Sequence, residues 1–225
     1  MTFKERIING LIRTALNIFC RIDKKDLEKI PLQGPAILIS NHVSTLEGPL
    51  FYVSLRPRKT IAMVKTELFE NFFTRTILST WKAIPVKRGA ADIQALKSCF
   101  NVLEEGNFIC IAPEGTRSKT GKLLRGKAGT TFIATQKKVP IIPMTHWGIT
   151  DLKENARKFE RTKITIKVGR PFYVEKKEGG RISSDDRQKM ADEMMYQIAA
   201  CLPEEYRGYY SDLSKATTNY LTFTD

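Results

Sequence analysis

Short apolar runs alternate with longer amphipathic stretches along most of the chain. Residues 36–40 (AILIS), 60–64 (TIAMV) and 108–112 (FICIA) are unbroken apolar runs of strand length and predict buried strands. Residues 83–86 and 140–144 (PIIPM) continue the series more weakly, the second carrying two prolines. Residues 163–168 (KITIKV) alternate lysine with β-branched side chains, which suits a strand with one wet face. Between these runs the spacing predicts helices over 46–55, 67–78, 91–105, 127–137 and 184–202. In the third, Ile93, Leu96, Phe100 and Leu103 share one face and Gly106 is the stop. Ser183 or Ser184 caps the last, with acids in its first turn. Alternating strands and helices predict an α/β fold: a single domain with a mostly parallel or mixed sheet flanked by helices.

The two ends break this rhythm. Phe3, Ile7, Ile8, Leu11, Ile12, Ala15, Leu16, Ile18 and Phe19 form a broad apolar stripe at helical spacing, beside Lys4, Arg6, Arg13 and Arg21. Such an N-terminal amphipathic helix either packs on the domain or lies in a membrane interface. Asn9, Arg13 and Asn17 interrupt its apolar character, so a signal peptide is not expected. No charge-free apolar stretch of about 18 residues or more occurs. The division is therefore a helical segment over 1–30, an α/β domain over 31–203 and a tail over 204–225. The tail carries Tyr206, Tyr209, Tyr210, Tyr220 and Phe223, which dock on the body or touch lipid.

Charge narrows the partners. The 225 residues carry a formal net charge of +13, which implies an anionic partner: nucleic acid, anionic lipid or a phosphorylated substrate. Arg117, Lys119, Lys122, Arg125, Lys127, Lys137 and Lys138 follow one another with no acid between them. That run holds a single aromatic, Phe132, and no nucleic-acid motif, so a nucleic-acid partner is not expected. The four cysteines are scattered without a Cys-x-x-Cys pair, which points to a reducing compartment and away from a thiol metal site.

Of the two histidines, His42 directly follows the run 36–40 and precedes a predicted helix, at the carboxyl end of a strand. Glu47 lies five residues on. Five residues of continuous helix rotate about 500°, so the two side chains meet only if the chain turns between them. With His42 in the loop and Glu47 early in the helix, capped by Ser44 or Thr45, the carboxylate fixes the imidazole tautomer and leaves one ring nitrogen as a base. A hydrogen-bonded surface histidine is the bland alternative on spacing alone. Residues Pro113-Glu114-Gly115-Thr116-Arg117-Ser118 also directly follow a buried run. Gly115 allows close backbone approach, Thr116 and Ser118 offer hydroxyls, and Arg117 offers a planar fork suited to phosphate. On a parallel sheet both loops share one edge. His146, beside Trp147, is expected to line or stabilise that edge.

Together these residues resemble the glycerolipid acyltransferase family, of which 1-acylglycerol-3-phosphate acyltransferases are members. The resemblance covers about residues 37–144 and rests on four ordered blocks: Asn41-His42 with an acid five residues on, Ile84-Pro85-Val86-Lys87-Arg88, Glu114-Gly115-Thr116-Arg117-Ser118, and Val139-Pro140-Ile141-Ile142-Pro143. The family normally has Asp where this chain has Glu47. The resemblance implies an acyl thioester donor, either acyl-coenzyme A or acyl-carrier protein, with no other cofactor and no metal. It implies a lysophospholipid acceptor, with His42 as general base and Glu47 as its orienting carboxylate. Arg88, Gly115, Thr116 and Arg117 would hold the acceptor phosphate, with Glu114 supporting the loop. It also implies peripheral or monotopic attachment to the cytoplasmic face of a membrane. A lipid-binding homologue without turnover is the rival reading.

Overall fold

The computed structural model describes residues 1–87, 92–175 and 182–224. Its main sheet runs β1 (Cys20–Asp23), β7 (Thr162–Val168), β6 (Ile141–Trp147), β2 (Ala36–Ile39), β5 (Phe108–Ile111), β3 (Thr60–Lys65) and β4 (Ile84–Val86) in spatial order. β6, β2, β5, β3 and β4 pair in parallel, as buried apolar runs joined by crossovers must. β7 turns antiparallel to β6, and β1 joins β7 at the edge. β8 (Phe172–Val174) and β9 (Leu221–Phe223) add a short antiparallel pair against β6. The mixed α/β sheet expected from the alternation is therefore observed. β1, β8 and β9 were not expected from the sequence.

Two cores lie on opposite faces of the sheet. Along β2, Ile37 and Ile39 enter one core while Ala36 and Leu38 enter the other, as strand geometry requires. The first is covered by α4 (Ile93–Glu104), α5 (Gly129–Gln136) and α7 (Ser184–Ala200). The second is covered by α2 (Glu47–Ser54), whose Leu50 and Phe51 are buried. α6 (Leu152–Arg157) links β6 to β7. Ser183 caps α7 by accepting the Asp186 N–H, as expected. The tail docks on the body: Tyr210 is buried, its hydroxyl accepting from the Gly126 N–H and donating to Asp192.

Two helical expectations need correction. The stretch 67–78 is not one helix. A short 3₁₀ turn, Thr66–Phe69, ends before Asn71, whose side chain accepts the Phe73 and Thr74 N–H groups and starts α3 (Phe72–Thr80) afresh. On α4 the buried face is Ala95, Cys99, Val102 and Leu103, while Ile93 is 63 % exposed. Of the expected face, Leu96 and Phe100 pack half-buried against the same core and Leu103 is buried, so Ile93 is the residue that departs from it.

α1 (Phe3–Phe19) sits the other way round from an ordinary amphipathic helix. A capping box between Thr2 and Glu5 starts it. Its most buried side chains are polar: Glu5 accepts from the Tyr52 hydroxyl and pairs with Arg56, and Asn9 accepts the Trp81 indole N–H, with Leu16 packed beside them on the second core. Phe3 (79 % exposed), Ile7, Leu11 and Ile18 point to solvent. At about 100° per residue those four sit on the side opposite Glu5, Asn9 and Leu16. Phe72 and Phe73, at the start of α3, are exposed as well.

Candidate active site

The register of the sheet assembles the site. Ile39 of β2 pairs with Ile111 of β5, so His42 and Glu114, each three residues further on, reach the carboxyl edge side by side. Glu114 Oε1 accepts the His42 N–H at 2.7 Å, and the His42 carbonyl accepts the Ser118 N–H at 2.7 Å. The two loops picked out by sequence are thus stitched into one. Glu114 Oε2 also accepts the Leu124 N–H, fixing the far end of the second loop.

His42 and Glu47 meet as the turn between them allows: Nδ1 lies 2.6 Å from Glu47 Oε2. The other carboxylate oxygen accepts the Val43 and Ser44 N–H groups. Capping of α2 by Ser44 or Thr45 is therefore corrected. Glu47, the first residue of the helix, reaches back to the preceding turn, and Ser44 Oγ accepts only the Leu46 N–H. With Nδ1 engaged by a carboxylate, the proton sits on Nδ1 and Nε2 carries the lone pair. The His42 side chain is 24 % exposed, so the ring is accessible at the sheet edge.

A second imidazole lies behind the first. β6 extends to Trp147, so His146 is on a strand rather than beyond one, and it is fully buried. Its Nε2 lies 3.3 Å from Glu47 Oε1, its ring packs edge-on to Phe51, and neither ring nitrogen has an aligned hydrogen-bond partner. The carboxylate thus sits between two histidines. Burial raises the Glu47 pKa, but the contacts of His146 and His42 outweigh it and hold the group at about 2. At Glu114 burial dominates, pushing the carboxyl up to about 7 against the pull of the Leu124 and His42 N–H groups.

Asn41 was named in the first block but given no role by the sequence reading. β2 ends at Ile39, and the buried Asn41 amide continues its ladder: Oδ1 accepts the His146 N–H at 3.0 Å and Nδ2 donates to the His146 carbonyl at 2.9 Å. It fixes His146 relative to His42.

The remaining expected residues are less enclosed. Gly115 has φ +63, and a Cβ there would meet the Lys127 side chain at 2.9 Å. Thr116 and Arg117 are exposed, beside the basic run, and Arg117 has no acidic partner among the described residues. Arg88 lies outside the described residues. Among these, no group of three His, Cys, Asp or Glu could hold a metal ion.

Comparison with known proteins follows the same residues. The chloroplastic 1-acyl-sn-glycerol-3-phosphate acyltransferase LPAT1 of Arabidopsis thaliana is 27 % identical over 182 residues, 78 % of this chain and 50 % of that protein. The 1-acyl-sn-glycerol-3-phosphate acyltransferase of Bacillus subtilis is 27 % identical over 146 residues, 65 % of this chain and 71 % of that one. The chain spans about half the length of the plant relatives it matches. Its fold is similar to that of the 1-acyl-sn-glycerophosphate acyltransferase PlsC of Thermotoga maritima, with TM-score 0.63 and 23 % identity over 96 % of this chain and 81 % of that one. The model of the acyltransferase family matches residues 21–147, from β1 to the end of β6 and across both loops. That is more than half of the sequence, and the chain belongs to the acyltransferase family.

Proposed function

We propose that the chain transfers a fatty acyl group from an acyl thioester, acyl-coenzyme A or acyl-carrier protein, to the free hydroxyl of a lysophospholipid. The foremost acceptor is 1-acylglycerol 3-phosphate, giving phosphatidic acid in phospholipid synthesis. One observation carries this reading: His42 is held through Nδ1 by Glu47 at 2.6 Å, which leaves Nε2 as a base at an accessible sheet edge.

In the proposed reaction Nε2 takes the acceptor hydroxyl proton as the oxygen attacks the thioester carbonyl. Glu47 stabilises the imidazolium so formed. The tetrahedral adduct then collapses, the carbon–sulfur bond breaks, and the departing sulfur receives the proton from His42. General base assistance of this kind contributes about 10²–10⁴-fold, and holding both substrates in register supplies much of the rest. The acceptor phosphate is held by Arg117, Thr116 and the backbone at Gly115, with Arg88 as a further cation. Glu114 holds the loop rather than the substrate.

The outward apolar face of α1 supports a peripheral or monotopic position on the cytoplasmic face of a membrane. Phe3, Ile7, Leu11 and Ile18 would enter the interface, with Lys4, Arg6 and Arg13 on the same helix near anionic headgroups, each worth about 1 kcal/mol. No helix among the described residues is long and apolar enough to cross a membrane.

The test is an acyl-transfer assay over lysophospholipids and glycerol 3-phosphate with both donors, run on wild type and His42→Ala. The expected result is transfer to a phosphate-bearing lysolipid that falls about 10²-fold or more in the variant while lipid binding persists. Full activity in His42→Ala would sink the mechanism. Lipid binding without transfer by the wild type would leave a non-catalytic lipid-binding protein.

A further inference from the structure

Beside the edge strand β1, a groove of about 930 Å³ shares no residue with the His42 edge. Its walls are β1 and the turn after it, the end of α2 with the residues that follow, and the start of β7. Seven cations line it against two carboxylates, Asp23 and Glu28.

The arrangement of those cations is costly without an anion. Arg21 and Lys163 are direct neighbours across the β1–β7 pair, where like charges destabilise a sheet. Neither they nor Lys24 and Lys25 pair with an acid among the described residues. Arg58 is 8 % exposed, and its fork donates to the backbone carbonyls of Leu27, Ile30 and Pro31. Those dipoles satisfy its N–H groups but leave its full positive charge un-neutralised in the wall of the groove. Arg56 alone has a carboxylate partner, Glu5. Arg161 spends one nitrogen on the Cys20 carbonyl.

We propose that this groove is a binding site for phosphate esters, separate from the catalytic edge and independent of the acyl-transfer reading. Guanidinium forks and ammonium groups around an open, partly apolar channel fit phosphate oxygens better than a lone carboxylate. The phosphate comes from an anionic phospholipid headgroup or from the nucleotide end of a coenzyme A thioester. The site makes the same contacts to either, and its occupancy offsets the repulsion between Arg21 and Lys163.

The test uses the full chain. Binding is measured to vesicles of phosphatidylcholine with and without phosphatidylglycerol, and separately to coenzyme A by calorimetry. The groove variant is Arg21→Glu with Lys163→Glu, both exposed positions, with Lys24→Glu plus Lys25→Glu as a second version should the first fail to fold. The control is Lys97→Glu with Lys138→Glu, the same charge change at exposed positions lining neither the groove nor the site. The groove variant should lose about tenfold or more in affinity for one probe, and the control much less. A loss confined to anionic vesicles identifies the headgroup, and a loss confined to coenzyme A identifies the nucleotide. Equal losses in groove and control variants, or no loss in either groove variant, overturn the proposal.

Discussion

The two loops at the sheet edge hold buried carboxyls whose pKa values are shifted in opposite directions. Glu47 and Glu114 are 6 % and 1 % exposed, so desolvation presses on both. Glu47 has two imidazoles and two backbone N–H groups around it and stays well below the usual carboxylate range. Glu114 has only backbone N–H partners, and burial lifts it to about 7. Burial alone therefore does not decide which acid serves chemistry. The side-chain partners do: the Glu47 carboxylate touches both imidazoles, whereas Glu114 meets His42 only at its backbone N–H. In the proposed reaction the first carboxylate supports a developing positive charge on His42, while the second keeps two loops in register.

That contrast breaks most sharply at the amide level. Glu47→Gln removes the charge and lets His42 adopt the wrong tautomer, so kcat for acyl transfer should fall about 10²–10⁴-fold. Glu114→Gln should keep kcat within about tenfold, since a neutral side chain there resembles the protonated acid. Equal losses in steady-state assays of the two variants would erase the distinction.

The next test reads stability against pH. The folded Glu114 pKa is raised, so its contribution is fully present below the ordinary carboxylate value and is lost as pH rises through about 7. Between pH 5 and pH 8 this costs the wild type up to about 3 kcal/mol, and Glu114→Gln should flatten that slope. Urea unfolding at the two pH values measures it. A wild type that gains stability over that range relative to the variant would contradict the assignment.

The smallest effect is expected at His146. His146→Phe keeps the edge-on packing with Phe51 but removes the contact to Glu47 Oε1. Activity should drop about tenfold or less. The acid limb of the kcat/KM profile should move to higher pH, because Glu47 loses the His146 contact that helps to hold its carboxyl low. An unchanged pH profile would reduce His146 to packing.

Much of this site was legible because both loops begin where an apolar strand stops. Equal spacing from Ile39 to His42 and from Ile111 to Glu114 then fixes their level once β2 and β5 are neighbours. The Asn41–His146 clamp was not legible, since it depends on β6 flanking β2 on the other side and spans 105 residues. The break at Asn71 turned on one side-chain acceptor competing with a continuous helix. For α1 the periodicity revealed two faces but not which one the body would take. That choice rests on Glu5 and Asn9 finding Arg56, Tyr52 and Trp81 far along the chain.

The inverted seating of α1 also sets how the reaction would be counted. Its polar seam locks the helix against rolling, so on the proposed bilayer the body rides at one fixed azimuth. A lipid acceptor would then arrive by lateral diffusion in two dimensions. Turnover would follow the mole fraction of acceptor in the surface, and added inert lipid would dilute the substrate even at constant bulk concentration.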